Sequence, residues 1–165
     1  MKIASSEFTE LGSQMVLPLF EGVDKAPNNS LRGLSRSQRS LVRDALSSGS
    51  FDGKKGKRMT LWTPGCNIVL VGMGEKDSLG HKRARNTGAR LIASMSKKKG
   101  IDVTVRFTSG WSVKRMIDFA EGMLLRDYEF LEHQELPKDH ISEPWNMSFQ
   151  ASSRYQESLS RGLRD

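Results

Sequence analysis

Ile68-Val69-Leu70-Val71-Gly72-Met73-Gly74-Glu75-Lys76-Asp77 is the stretch whose reading decides the fold. Four consecutive aliphatic residues end in a Gly-x-Gly turn and then in polar residues able to start a helix. That order predicts a strand buried on both faces that runs into a helix. The turn itself has two readings. Glycines let backbone N–H groups approach an anion at a helix N-terminus, as in phosphate loops, but they also permit a tight turn at a strand end with no ligand at all.

Upstream, Met59 to Trp62 reads as a strand that pairs with the first across the Pro64-Gly65 turn. Met15-Val16-Leu17-Pro18-Leu19-Phe20 is the stronger of two short strand candidates in residues 2 to 20. Pro18 lacks a ladder donor, which predicts a place at a sheet edge or a proline at a non-bonding position. Asp24 to Ser30 is a loop, and from Leu31 the residues Leu34, Leu41, Val42, Ala45 and Leu46 recur at helical spacing until Ser47-Ser48-Gly49.

Downstream, Asp77 or Ser78 is expected to cap a helix with inner face Ala84, Gly88, Leu91, Ile92 and Met95, closed by Lys97-Lys98-Lys99 and Gly100. Ile101 to Phe107 alternates as a strand. Ser109 or Ser112 then caps a helix with core stripe Val113, Met116, Ile117, Ala120, Met123 and Leu124, and Tyr128-Glu129-Phe130 follows it as the chain turns back. A strand candidate spans Ile141 to Phe149, weakened by Pro144, and a last amphipathic helix runs from Ala151 to about Leu163. Strand-helix alternation through the middle predicts an α/β fold with three layers, a mixed, largely parallel sheet between helices.

A length of 165 residues suits one domain with a full core. No apolar run approaches the roughly 20 residues of a membrane span. The start, Met1-Lys2-Ile3-Ala4-Ser5-Ser6-Glu7, lacks the apolar core of a signal peptide, so a cytoplasmic protein with no membrane partner is expected. Cys66 is the single cysteine and cannot form an internal disulfide. The net charge of +7 and pI near 9.8 raise the prospect of a polyanionic partner.

Local motifs give no support to catalysis. His81, His133 and His140 offer no paired metal-ligand spacing, and Glu132, His133 and Glu135 read as a solvated polar stretch. No Gly-x-Ser-x-Gly elbow occurs, and Cys66 has no basic partner nearby in sequence. No metal or cofactor site is therefore expected in this chain. The basic groups are better candidates: Arg32, Arg36, Arg39 and Arg43 as one stripe, Lys54, Lys55, Lys57 and Arg58 in a turn-rich hairpin, and His81, Lys82, Arg83, Arg85 and Arg90 on the second helix. Together they could neutralise several DNA phosphates, although a charged stripe opposite an apolar one is also what any surface helix shows. Aromatic interleaving is sparse, with Trp62, Trp111 and Trp145 far apart.

Four segments in order, VLPLFEG at 16–22, FDGKKGK at 51–57, IVLVGMGEKD at 68–77 and AEGMLLRDYEF at 120–130, resemble landmarks of the N-terminal domain of the leucine aminopeptidase family of cytosolic metallo-exopeptidases. The resemblance covers Met15 to Leu131. The closing Ser160-Arg161-Gly162-Leu163-Arg164-Asp165 is similar to the segment that leads into the family's catalytic domain. Met73 stands where leucine is usual, and Arg126-Asp127 where smaller residues are common.

The resemblance implies a macro-domain-like domain over residues 1–150 and, over 151–165, a helix leading toward a C-terminal catalytic domain that this chain does not contain. It implies that the parent enzyme removes N-terminal residues from peptides with two divalent metals, Zn or Mn, held by that other domain. None of its ligands maps to a position here. It further implies roles in hexamer assembly and active-site access. DNA binding, known in some bacterial relatives, and ADP-ribose binding at the Gly72-Met73-Gly74 loop are the alternatives it leaves open.

Overall fold

The computed structural model describes residues 2–5, 12–23, 28–95, 102–133 and 146–164. In chain order its elements are β1 (Lys2–Ser5), β2 (Gln14–Leu19), α1 (Arg36–Ser47), β3 (Arg58–Leu61), β4 (Asn67–Gly72), α2 (His81–Met95), β5 (Asp102–Arg106), α3 (Val113–His133), β6 (Asn146–Gln150) and α4 (Ser153–Gly162). Short 3-10 turns occupy Asn28–Leu31 and Lys76–Ser78. The strands form one six-stranded sheet in the order β1-β6-β5-β2-β4-β3. All neighbours are parallel except β3, which runs antiparallel to β4.

Successive side chains of a strand point to opposite faces, and an aliphatic run can bury both when helices cover both. Ile68 and Leu70 of β4, with Met15, Leu17 and Leu19 of β2, pack against Val42, Ala45 and Leu46 of α1. Val69, Val71, Val16, Val103 and Val105 face the other way, onto Ala84, Leu91 and Ile92 of α2, Met116, Phe119 and Met123 of α3, and Leu159 of α4. The result is the expected three layers. Among the described residues, no helix is long and apolar enough to cross a membrane.

β2 lies in the sheet interior between β5 and β4, not at an edge. Its proline is tolerated because of where its backbone points. The Leu19 carbonyl accepts from Met73 N on the β4 side, so Pro18, one residue earlier, faces β5. The β5 ladder pairs only Gln14 to Val16, so Pro18 lies past its end, and the Pro18 carbonyl accepts from Trp111 Nε1 at 3.1 Å.

Three helix boundaries also differ from expectation. α1 starts at Arg36, because Ser35 and Gln38 form a reciprocal capping box, which leaves Arg32 ahead of the helix. Leu41 is 42% exposed and lies outside the core. Asp77 and Ser78 belong to the 3-10 turn, and the first bond into α2 comes from Ala84 N to the Gly80 carbonyl. Tyr128-Glu129-Phe130 continue α3, which ends at His133. The expected helix end at Lys97-Lys98-Lys99-Gly100, Asp24 to Pro27 of the loop, Glu135, His140 and the Ile141–Trp145 part of the last strand candidate lie outside the described residues.

Candidate functional site

The glycine turn is closed by its own chain. Gly72 N donates to the Lys57 carbonyl at 2.7 Å, Met73 N to Leu19 at 2.9 Å and Gly74 N to Gly53 at 2.9 Å. Gly74 in turn accepts from Glu21 N at 2.9 Å, and Gly22 N donates to Asp52 at 3.2 Å. A Cβ on Gly72 would fall 2.0 Å from the Lys54 carbonyl oxygen, so only glycine permits that approach. The N–H groups of Gly72, Met73 and Gly74 are thus all bonded within the chain, so these three give the ADP-ribose reading no support. Three of the four landmark segments thus meet in one hydrogen-bonded joint.

Asp52 stabilises the same joint. Its carboxylate accepts from Lys54 N at 3.1 Å and lies 3.5 Å from Lys54 Nζ and 3.4 Å from Lys57 Nζ. The Lys54 backbone hydrogen bond, helped by both lysines, holds its carboxyl below the ordinary aspartate value.

The eight sequence-predicted phosphate contacts come from separate elements. Arg36, Arg39 and Arg43 follow one face of α1, Lys54, Lys55 and Lys57 sit in the turn before β3, and Arg58 reaches across to Ser94 of α2. The second-helix cations are mostly engaged. His81 pairs with Asp118, Arg85 with Glu121, and Arg83 donates to Ser78 Oγ at 2.8 Å. Asp118, only 4% exposed, also accepts from Arg115 Nη1 at 2.8 Å, so this group ties α2 to α3. Cys66 is buried, which pushes its thiol pKa up, and its carbonyl accepts from Gln38 and Thr63. Its place is structural.

Sequence reasoning passed over Arg106, one of the largest fully buried side chains. Its Nε and Nη2 donate to Gln150 Oε1 at 3.0 and 2.8 Å, and its Nη1 to the carbonyls of Ser30 at 3.0 Å and Arg32 at 2.6 Å. Burial lowers its pKa to about 10, so it stays charged at neutral pH. Above it, at the carboxyl ends of β5 and β6, opens a crevice of about 650 Å³ lined by Ser30, Lys76, Phe107 to Ser112, Met116, Ser152, Arg154 and Tyr155. Phe119 meets the lining residues Phe107 and Trp111 edge-on, and Trp111 packs at a tilt against Phe107 and Phe20. Among the described residues, no three His, Cys, Asp or Glu side chains come together in a way that could hold a metal ion.

Fold and site together define a three-layer, largely parallel α/β domain whose glycine turn is sealed and whose open crevice lies at the sheet's carboxyl edge. The chain belongs to the cytosol aminopeptidase family as its N-terminal domain, whose family model matches residues 16–135. Among solved structures it is similar to a tomato leucine aminopeptidase mutant, with TM-score 0.69 and 20% identity over 99% of this chain and 35% of that one. It is also similar to the bottromycin maturation enzyme BotP, solved with Mn, at TM-score 0.51 and 13% identity over 92% of this chain and 29% of that one. A second BotP structure gives TM-score 0.50 and 14% identity. At these identities the likeness speaks to fold. The chain spans about a third of the length of these enzymes. No curated protein matches its sequence.

Proposed function

We propose that the chain acts as the non-catalytic N-terminal domain of a metal-dependent leucyl aminopeptidase, contributing to hexamer assembly and shaping access to an active site on a C-terminal catalytic domain. The observation that carries this is the family match over residues 16–135, joined to a fold that covers 99% of this chain but 35% of the tomato enzyme. On this reading, residues 1–150 form the domain and 151–165, which include α4, lead toward the catalytic part. The parent is cytoplasmic and removes N-terminal residues from peptides with two divalent metals, Zn or Mn, bound outside this chain. The purified chain, assayed on leucine p-nitroanilide with Mn or Zn, is expected to release no product above the metal-only control. Turnover that scales with the protein would sink the proposal.

A second reading is favoured by the net charge of +7 and the α1 stripe. Here duplex DNA lies along Arg36, Arg39 and Arg43. One phosphate per arginine gives a log-log salt slope of about −2.7. Absence of binding at low salt, or affinity indifferent to salt, rules this out.

A further inference from the structure

We propose that the crevice at the carboxyl ends of β5 and β6 binds a small phosphate monoester, gripped by Lys76 and Arg154 and by the hydroxyls of Thr108, Ser109 and Ser152. Placement is the first argument. The chain leaves β2 toward β4 on one side, then crosses with α2 to β5 and β6 on the other, so the sheet order reverses between β2 and β5. Open α/β sheets form their ligand crevices outside the strand carboxyl ends at such a reversal. The loop after β2 lines an adjoining depression of about 430 Å³, where Glu21 and Lys76 stand with Thr108 to Gly110, while the crevice itself lies between the loops after β5 and β6. The main crevice, at about 650 Å³, has the size of a small-molecule site, roughly 300–1,000 Å³.

Lining chemistry is the second argument. The crevice has five Ser or Thr hydroxyls, from Ser30, Thr108, Ser109, Ser112 and Ser152, two cations, and no aspartate or glutamate. Asp52 pairs with the lysines, Asp118 with His81 and Arg115, and Glu121 with Arg85, while Glu21 lies in the adjoining depression. Among the described residues no carboxylate pairs with Lys76 or Arg154. The Lys76 stem lies over Gly110, where an added Cβ would come 3.5 Å from its Cδ, and the Arg154 guanidinium stands 5.4 Å from the centre of the Tyr155 ring.

Two further features raise the potential there. Trp111 and Ser112, at the positive end of the long helix α3, form part of the wall. Arg106 holds the carbonyl of Ser30, another lining residue, and adds a buried positive charge beneath. Two cations and a hydroxyl-rich wall match the double charge and tetrahedral oxygens of a phosphate monoester better than the single charge of a planar carboxylate.

The test is an amide NMR titration of the 165-residue chain with ribose 5-phosphate, using ribose and acetate as comparison probes. Saturable shifts are expected at Ser109, Gly110, Trp111 and Ser112 with ribose 5-phosphate and none with ribose, with acetate at least ten-fold weaker. Lys76 and Arg154 are exposed, so Lys76→Ala/Arg154→Ala should keep the native spectrum while weakening binding at least ten-fold. Arg36→Ala/Arg39→Ala should leave the affinity unchanged. Absence of saturable shifts, equal binding of acetate, or undiminished binding by the Lys76/Arg154 variant would each overturn the proposal. None of these outcomes bears on the aminopeptidase assay.

Discussion

Gly72→Ala is expected to lower the unfolding free energy by about 3 kcal/mol, the upper part of the usual range for overpacking a site that cannot relax. The new methyl would lie 2.0 Å from the Lys54 carbonyl oxygen and 2.9 Å from its carbonyl carbon, so backbone must move. Moving it breaks the 2.7 Å bond from Gly72 N to Lys57 and loosens the neighbouring bond from Gly74 to Gly53. Gly72 does not sit at positive φ, so the penalty comes from the close approach and not from backbone strain. Urea unfolding should show a lower midpoint at unchanged m-value, and for a chain of this size Tm should fall by about 6–12 °C. Wild-type stability in this variant would mean that the 51–58 turn does not seat on β4.

Gly122→Ala carries the second large effect, and its sign is the informative part. In an exposed helix interior, alanine in place of glycine gains about 0.5–1 kcal/mol. Here the added Cβ would stand 1.9 Å from the Arg85 carbonyl oxygen of α2, while one on Gly88 of α2 would stand 2.1 Å from the Phe119 carbonyl oxygen of α3. The two helices approach through reciprocal glycine contacts, each lying three residues from the carbonyl that the other meets. A loss of about 2–3 kcal/mol is expected from Gly122→Ala by chemical unfolding. Gly80→Ala, with nothing within 4 Å of the new methyl, should change little. A stabilised Gly122→Ala would place α2 and α3 farther apart than described.

These two sites explain why the landmark segments are legible in sequence. VLPLFEG, FDGKKGK and IVLVGMGEKD meet in the joint around Gly72 to Gly74, and the glycine of AEG is the one that lets α3 touch α2. Runs buried on both faces, such as Ile68 to Val71, announce themselves because local composition alone sets their environment. Ser35-Arg36-Ser37-Gln38 likewise carries the capping pattern that fixes the start of α1. Tyr128 to Phe130, expected after α3, continue it, since no proline or glycine stands between Leu125 and His133 to stop the helix.

Other features depend on partners far away in the chain. Arg106 occupies an alternating position of β5 that reads as solvent-facing. Its burial rests on Gln150, 44 residues later, and on Ser30 and Arg32, 76 and 74 residues earlier. The pairing of His81 with Asp118, 37 residues apart, turns a predicted phosphate contact into a link between helices. The crevice is assembled from Ser30, Lys76, the 107–112 loop and the residues after β6, and no local motif announces a surface built that way.

Amide hydrogen exchange at Gly72, Met73 and Gly74 tests most directly whether the glycine turn is a structural joint or an anion cradle. With each N–H bonded to Lys57, Leu19 or Gly53, all three amides should exchange at rates close to those of β4 and keep their shifts when inorganic pyrophosphate is added. Rapid exchange at these three amides, or their shift and protection on adding pyrophosphate, would contradict it.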